Sequence, residues 1–250
     1  MLSDRPKFGI LSNNALKIIA AIAMVCDHMG VILFPDAFFL RVIGRLSFPI
    51  FAFLIAEGAK YTKNKLKHFL TMFGFAAVIQ IVYYFAMESL EMSVMVTFTL
   101  SIVIIYALDA FKSAIFKPET PLTYKILTGL GFLGSIILAM IMDLSFDLDY
   151  GLSGALVPVF PALFTTPKID DPPQLFKKLD NVFCRVMITT LGVLALSIDD
   201  GGVQFVSLLS IPLLLLYSGK RGKLKMKYFF YIFYPLHLVL LYGIWMLMNA

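Results

Sequence analysis

Long apolar stretches leave this chain few possible folds. A helix that crosses a bilayer needs about 20 mostly apolar residues. Nine segments of the 250-residue sequence meet that requirement: 14–34, 40–59, 67–87, 92–111, 124–143, 149–166, 182–198, 203–218 and 227–248. The chain is 60% hydrophobic and 15% charged, whereas soluble domains are roughly 45–50% apolar and about 25% charged. We therefore predict an all-α polytopic membrane protein in which residues 1–250 form a single integral-membrane domain.

Charged residues in the loops give these spans an orientation. Alternate loops carry the positive charge, in five groups: Arg5 and Lys7; Lys60, Lys63, Lys65 and Lys67; Lys112, Lys117 and Lys125; Lys168, Lys177 and Lys178; and Lys220, Arg221, Lys223, Lys225 and Lys227. The intervening loops are acidic, and Arg41 is their only clear cation; their acids are Asp36, Glu88, Glu91, Asp143, Asp147, Asp149, Asp199 and Asp200. Loops rich in Lys and Arg face the cytoplasm. The pattern predicts a cytoplasmic N-terminus and an extracytoplasmic C-terminus.

The placement of the cations in alternate loops also explains the net charge of +5. Because the cations follow the loops, they indicate membrane topology and contact with lipids, and we expect no nucleic-acid partner. The two cysteines, Cys26 and Cys184, both lie in apolar spans. Neither a disulfide framework nor a thiolate metal site is indicated, and we expect no metal.

Ionisable residues inside the spans are the candidates for function. A charged group at mid-membrane depth costs about 2.5–3.5 kcal/mol on insertion scales, so such residues usually face a bundle interior or a wet cavity. Asp27 and His28 lie in the outer half of span one, and Arg45 lies near the outer end of span two. A histidine titrates near neutral pH, and a neighbouring acid raises its basicity or fixes its tautomer. His28 is therefore a candidate general base; the alternative is a buried polar pair that only locks helix packing.

Further polar groups suggest a path across the membrane. Lys17 precedes His28 by eleven residues on nearly the same helix face, about 16 Å at 1.5 Å per residue. Lys17 could equally snorkel to the lipid headgroups. Glu57 lies at the cytoplasmic end of span two, and His237 lies near the middle of span nine, after Pro235. Polar groups near both ends of the spans predict a path through the membrane rather than a pocket on one side.

Four strings of the sequence resemble the TraX family. They are LKIIAAIAMVCDHMGVILFP at 16–35, LRVIGRLSFPIFAFLIAEGAKYTKN at 40–64, DYG at 149–151 and YPLHL at 234–238. The named member of that family is associated with acetylating the amino terminus of conjugative pilin subunits. The family looks related to the transmembrane acyltransferases, which use cytoplasmic acetyl-CoA. The resemblance implies acetyl-CoA-dependent O- or N-acetyl transfer to an unknown pilin or envelope-glycan acceptor, by a multi-pass protein of the bacterial cytoplasmic membrane.

The resemblance also implies site residues. His28 resembles the family's candidate base, Asp27 is its neighbour, and Arg45 matches the arginine of the Gly-Arg-Leu string. Three more positions match the Glu-Gly, Asp-Tyr-Gly and Tyr-Pro-x-His strings, namely Glu57, Asp149 and His237.

The chemistry of these residues fits acyl transfer. Transfer from a thioester needs a base to deprotonate the acceptor and donors to stabilise the oxyanion. His28 can be the base, with Asp27 orienting or charging it, and Arg45 can stabilise the oxyanion or bind an anionic acceptor group. His237 is expected to serve packing or contact with the pantetheine arm. The CoA phosphates need cations on the cytoplasmic side. The lysine- and arginine-rich segments 60–67 and 220–227 are the predicted phosphate-binding sites, with Lys60, Lys63 and Arg221 as their contacts. Lys17 lies on the path from these sites to His28. Topology anchoring also explains both runs.

Other classes of function remain open. Gly151-Leu-Ser153-Gly154 with a later His237 has the outline of an intramembrane serine protease, although its usual companions are missing. A proton-coupled transporter could use the embedded Asp, His, Arg and Glu as a relay, although nine spans do not divide into two equal halves. A purely structural or assembly protein would leave Asp27, His28 and Arg45 together without a purpose.

Overall fold

Helices make up the regular structure of this protein. The computed structural model describes residues 9–87, 90–222 and 227–249. Over those residues the only β-structure is two isolated bridges. In chain order the helices are α1 (Asn13–Ile32), α2 (Phe38–Gly44), α3 (Ser47–Tyr61), α4 (Lys65–Met87), α5 (Val94–Phe116), α6 (Leu122–Phe146), α7 (Gly151–Leu156), α8 (Val159–Leu163), α9 (Gln174–Leu179), α10 (Val182–Asp200), a 3₁₀ helix (Gly202–Leu209), α11 (Ser210–Leu215) and α12 (Lys227–Met248). Arg5, Lys7, Glu88, Lys223 and Lys225, which the charge pattern assigned to loops, lie outside the described residues.

Six of the predicted spans are helices long and apolar enough to cross a membrane. They are Asn13–Ile32, Phe38–Tyr61, Lys65–Tyr84, Val94–Phe116, Leu122–Phe146 and Val182–Asp200. The prediction of an all-helical membrane protein is therefore confirmed.

The other three predicted spans are shorter apolar helices: Gly151–Leu163, Gly202–Leu215 and Ile232–Met248. The first is interrupted at Val157 and Pro158, between α7 and α8, since proline has no N–H to donate to the preceding turn. The second begins as a 3₁₀ helix, which rises about 2.0 Å per residue and so covers more depth than an α-helix of equal length. The third is the part of α12 whose side chains the structure describes; α12 itself is one continuous helix of 22 residues.

The chain divides into two compact units, which we name the terminal unit (Met1–Phe51 and Ser197–Ala250) and the central unit (Ala52–Leu196). The core of the central unit surrounds α5, whose apolar side chains are buried against those of neighbouring helices. Its buried members include Leu100, Ile104, Ile105 and Leu108 of α5, together with Ala56, Ala59, Ala139, Val159 and Ala162.

Polar groups on α5 hold the interrupted segment Gly151–Leu163 along its length. The hydroxyls of Thr97 and Ser101 donate to the carbonyl oxygens of Asp149 and Ala155, each at 2.8 Å. Near the other end of α5, Lys112 Nζ donates to the carbonyls of Ala162 at 2.8 Å and Thr165 at 2.7 Å. These bonds tie carbonyls along the segment and just beyond its ends to α5. The segment therefore runs beside α5 over most of that helix.

The terminal unit is built on α1. Ser12 caps this helix by accepting a hydrogen bond from the backbone N–H of Ala15 at 3.2 Å. Just before the cap, Leu11 forms a β-bridge with Tyr217, which fixes the end of α11 beside the start of α1. Farther along, α1 packs against α2 and α12, and α2 contacts the 3₁₀ helix. This packing brings the polar residues of the unit together.

Candidate active site

Two histidines from distant parts of the sequence meet in the terminal unit. Nδ1 of His28, on α1, lies 2.7 Å from Nε2 of His237, on α12. The two ring centroids are 4.9 Å apart, and the Tyr234 ring makes a T-shaped contact with each of them. His237 is 5% exposed. The pair is a histidine dyad in which His237 is buried and His28 is half-buried, and each ring constrains the other.

The backbone of α12 determines which ring nitrogens carry protons. Nδ1 of His237 lies 3.0 Å from the carbonyl oxygen of Phe233. A carbonyl only accepts, so Nδ1 is the donor, and Nε2 of a neutral His237 is an acceptor. His28 must then donate through its own Nδ1. A neutral His28 consequently has an unprotonated Nε2, which is the form that a general base requires.

Asp27, next to His28 in the chain, binds two arginines. Its Oδ2 lies 2.7 Å from Nη1 of Arg41, and its Oδ1 lies 3.1 Å from Nη2 of Arg45. Successive residues of an α-helix point about 100° apart, so Asp27 and His28 face different partners. We predicted that Asp27 orients His28 and that His237 serves packing or pantetheine contact. The structure instead gives the contact with His28 to His237.

A glycine allows the arginines to reach Asp27. Arg41 and Arg45 are four residues apart and share one face of the chain as it passes through α2. Gly44 is buried against Asp27, and a Cβ at that position would overlap the carboxylate. Only glycine permits α2 to approach α1 so closely. The Asp27–Arg41–Arg45 cluster therefore depends on the packing of two helices as well as on charge.

Gln204 adds a carboxamide to this cluster. Nη1 of Arg45 donates to Oε1 of Gln204 at 3.0 Å, and the Gln204 side chain is buried. The 3₁₀ helix that carries Gln204 begins at Gly202, after Gly201. These two glycines have φ of 68° (Gly201) and 50° (Gly202), in the left-handed region that glycine adopts readily. Arg41 and Arg45 both lie within electrostatic range of His28. A fixed set of hydrogen-bond donors thus lies beside the histidine dyad.

Lys17 and Arg221 lie at the opposite end of α1 from the dyad. Lys17 is half-buried and Arg221 is exposed, and they are close enough for their charges to interact. The backbone N–H groups of Asn13 and Asn14 donate to the carbonyls of Lys220 and Arg221 at 2.8 and 3.2 Å. Cations therefore gather where α1 begins, within the same unit as the dyad.

The remaining predicted residues belong to the central unit. Glu57 is buried and forms an ion pair with Arg185, so it has a partner in the unit's interior. Lys63 and Asp149 are exposed. The backbone of Asp149 donates to the carbonyl of Met92 at 2.9 Å. Ser153, the nucleophile of the protease alternative, donates its hydroxyl at 3.3 Å to the carbonyl of Tyr150 in its own turn.

Lys60 is also engaged in the central unit. Its Nζ lies 2.6 Å from Oδ1 of Asp180. Burial raises the pKa of the Asp180 carboxyl, but the hydrogen bond and charge of Lys60 outweigh it, helped by the Thr166 N–H and the charge of Arg185, so that this pKa lies below its usual value. Because Asp180 neutralises Lys60, Lys60 is less available for a phosphate than the sequence suggests.

Two residues of the site were not among the sequence candidates. Arg41 was counted among the loop charges and was not named as a site residue, although the sequence places it one turn from Arg45 on the same face. Gln204 is a carboxamide inside a predicted apolar span, which is itself a signal of function. The contact between His28 and His237 has no signal in one sequence, because the two residues are 209 positions apart.

These features define a class: a polytopic helical membrane protein with a histidine dyad beside an aspartate–arginine cluster. Comparison with known proteins gives the family. The profile described as TraX protein matches residues 12–245, and the chain belongs to the TraX family.

Two relatives are similar to this chain. One is named as a probable fimbrial assembly protein, FimC of serogroup H1, from Dichelobacter nodosus; it is 25% identical over 90% of this chain and 92% of its own length. An uncharacterised protein of Rickettsia prowazekii (strain Madrid E) is 45% identical, over 16% of each chain. No solved structure matches.

Proposed function

We propose that this protein transfers an acetyl group from cytoplasmic acetyl-CoA to an acceptor at or across the membrane. The observation that carries the proposal is the His28–His237 bond, with the Phe233 carbonyl behind it. It leaves a neutral His28 with an unprotonated Nε2, as general base catalysis requires. Membership of the TraX family supports the same reaction.

His28 moves the proton in this reaction. Its Nε2 removes the proton from an acceptor hydroxyl or amine as that group attacks the thioester carbonyl carbon. The new C–O or C–N bond forms, the C–S bond breaks, and the CoA thiolate leaves. The imidazolium then returns its proton to the thiolate, so the dyad ends as it began. His237 orients His28 and stabilises its charged form through the shared bond, as the orienting partner of a base does in other acyl transferases and hydrolases.

The Asp27–Arg41–Arg45 cluster holds its positive groups in place without reorganisation. Asp27 bonds to both guanidinium groups, which offsets the cost of burying them. Fixed positive groups near a developing oxyanion or an anionic acceptor stabilise the transition state most when water is excluded. Arg45 is 14% and Arg41 33% exposed, so Arg41 is the better placed of the two for an incoming anionic group.

Acetyl-CoA reaches the site, in this proposal, from the end of α1 that carries Lys17, Lys220 and Arg221. These cations suit the phosphates of CoA. From Lys17 to His28 is about 16 Å of helix, a distance that an extended pantetheine arm can cover. Lys63 is a second candidate contact for CoA; Lys60 is a weaker one because Asp180 neutralises it.

The proposal needs the nine-span topology with a cytoplasmic N-terminus. Contacts within the terminal unit support it: Leu11 bridges Tyr217, both predicted cytoplasmic, while Arg45 bonds Gln204, both predicted near the outside. Residues 204–217 therefore pass between the same two levels as α1. Fusion reporters at Glu91, Asp147 and Asp199 should all give an extracytoplasmic signal, and a cytoplasmic signal at any of them would contradict the topology.

Contacts in the central unit support the same topology. Met92 bridges Leu148, both predicted outside. Lys112 bonds the carbonyl of Ala162, at the predicted cytoplasmic end. The interrupted segment thus passes between the same levels as α5, although it is short.

The acceptor is proposed to be a pilin amino terminus or a glycan of the bacterial envelope. The similarity to a protein named for fimbrial assembly supports the first. Mass spectrometry of surface proteins and envelope polymers, from cells with and without the gene, should find an acetyl group of 42 Da missing from one of them when the gene is removed.

The reaction itself is tested with purified full-length protein and radiolabelled acetyl-CoA. Wild-type protein should release CoA and label the acceptor, and His28→Ala should lower the rate by about 10²-fold or more, the scale of acid–base catalysis. His68→Ala is the matched control, because His68 bonds Tyr106 in the central unit. Gradient-driven flux without CoA release would favour the transporter. Near-normal acetylation in His28→Ala would show that another residue is the base.

A further inference from the structure

Gln204 carries an unpaired donor beside the candidate active site. Its side chain is 3% exposed, and Oε1 accepts from Nη1 of Arg45 at 3.0 Å. An arginine only donates, so the amide must present its oxygen to Arg45 and its NH2 group elsewhere. Within the described part of the chain, Nε2 has no hydrogen-bond partner. A buried donor left unpaired costs about 1–3 kcal/mol, so the position needs an explanation.

The backbone around Gln204 is fixed. Its N–H donates to the carbonyl of Gly201 at 3.0 Å, and its own carbonyl accepts from the Ser197 hydroxyl at 3.2 Å. The side-chain oxygen is held by Arg45, which is itself held by Asp27. With its main chain and one side-chain atom both anchored, the unpaired NH2 group has a set direction. Donors that are oriented before the reaction are those that stabilise a transition state best.

We propose that Nε2 of Gln204 donates a hydrogen bond to the carbonyl oxygen of the acyl thioester, and holds that oxygen as it becomes an oxyanion. The assignment rests on the proposed function. Arg45 donates to Asp27 and to Gln204; through the second bond it holds the carboxamide in place, and its guanidinium adds positive charge to the site. The Arg45 guanidinium bonds both Gln204 and Asp27, and Asp27 precedes His28 in the chain. In the balanced step, His28 takes the acceptor proton, Gln204 holds the oxyanion, and collapse expels the CoA thiolate, which recovers the proton.

Two variants separate the donor from its role in packing. Gln204→Glu keeps the shape and an oxygen for Arg45 but replaces the NH2 group. Gln204→Met keeps the length and removes both polar atoms. The matched control is Gln80→Met in the central unit, where the amide is fully used: Nε2 donates to the Glu91 carbonyl at 2.7 Å and Oε1 accepts from the Ser93 N–H at 3.0 Å.

The experiment uses full-length protein in lipid nanodiscs and two unreactive analogues of acetyl-CoA. The acetonyl thioether of CoA keeps a carbonyl, whereas the ethyl thioether has none. Wild-type protein should bind the acetonyl analogue more tightly. Both Gln204 variants should lose that preference, bind the ethyl analogue as wild type does, and show a kcat lower by about 10²–10³-fold with little change in KM. Gln80→Met should keep the preference and the kcat.

The results distinguish this inference from the proposed function. If wild-type protein transfers acetyl groups but Gln204→Glu retains both kcat and the preference for the carbonyl analogue, Gln204 is not the donor and the transferase stands. If wild-type protein binds neither analogue and transfers nothing, the proposed function itself fails. Should Gln204→Met not fold, the Gln204→Glu result decides, because that variant retains the bond to Arg45.

Discussion

The dyad predicts a specific effect for the loss of His237. His237→Leu removes the acceptor of the proton on His28 Nδ1, a nitrogen that lies 2.7 Å from Nε2 of His237. A neutral hydrogen bond contributes about 0.5–1.5 kcal/mol net, and a bond to a charged group about 1.5–3 kcal/mol. His28 becomes charged as it takes the acceptor proton, so the bond strengthens by roughly 1–1.5 kcal/mol in the transition state. That difference is worth about tenfold in rate.

A second loss adds to the first. Without an acceptor beside Nδ1, the proton of neutral His28 can move to Nε2, and a molecule in that tautomer has no base at Nε2. The lost neutral hydrogen bond had favoured the active tautomer, so its loss lowers the rate by a further factor of up to about ten. We expect His237→Leu to lower kcat by about 10–10²-fold, less than His28→Ala. His237→Gln offers a carbonyl oxygen to the same proton and should recover part of the rate.

Single-turnover CoA release, followed with a thiol reagent, measures this effect. His68→Leu is the control, since it makes the same change at a histidine that bonds Tyr106 in the central unit. A wild-type rate in His237→Leu would refute the argument, because His28 would then need no partner. Equal rates in His237→Leu and His237→Gln would refute the tautomer part of it.

Three further predictions concern packing and charge. Gly44→Ala should displace the Asp27 carboxylate, destabilise the protein by about 1–3 kcal/mol and lower acetyl transfer. Gly131→Ala, with open space around it, should have none of these effects. Thermal unfolding measures the stability of both variants, and CoA release measures their activity. Lys112→Met should cost about 1–3 kcal/mol, because it removes the charged donor that bonds the Ala162 and Thr165 carbonyls. The exposed Lys117→Met should leave the melting temperature within error. Asp180 has a lowered pKa, so its stabilisation should be complete above the unfolded pKa of about 3.9 and lost as pH falls through the lower folded value. The difference in melting temperature between wild type and Asp180→Asn should therefore be largest at neutral pH and disappear in strong acid.

Much of the fold follows from local properties of the chain. Apolar segments of about 20 residues predict spans because every backbone group must be satisfied inside a bilayer, and six of the nine predicted spans are helices of sufficient length. The interruptions in two of the others depend on single residues, which a hydropathy average does not resolve, whereas α12 is continuous. Pro158 interrupts one segment, and Gly201 and Gly202 start a 3₁₀ helix in another.

The site likewise has residues that the sequence identifies and contacts that only the structure shows. His28, Asp27 and Arg45 are recognisable from the sequence alone, because ionisable residues inside an apolar span are rare and costly. Their partners are not, because each contact is made by residues on different helices. The side chain that faces His28 is decided by the packing of α1 against α12, and it is His237 rather than the adjacent Asp27. Likewise the close approach at Gly44 decides that Asp27 binds two arginines, and the start of the 3₁₀ helix decides that Gln204 reaches Arg45. Sequence determines which groups must be kept from lipid, and tertiary structure determines which of them meet, since pairing depends on helix rotation and distance that no local pattern records.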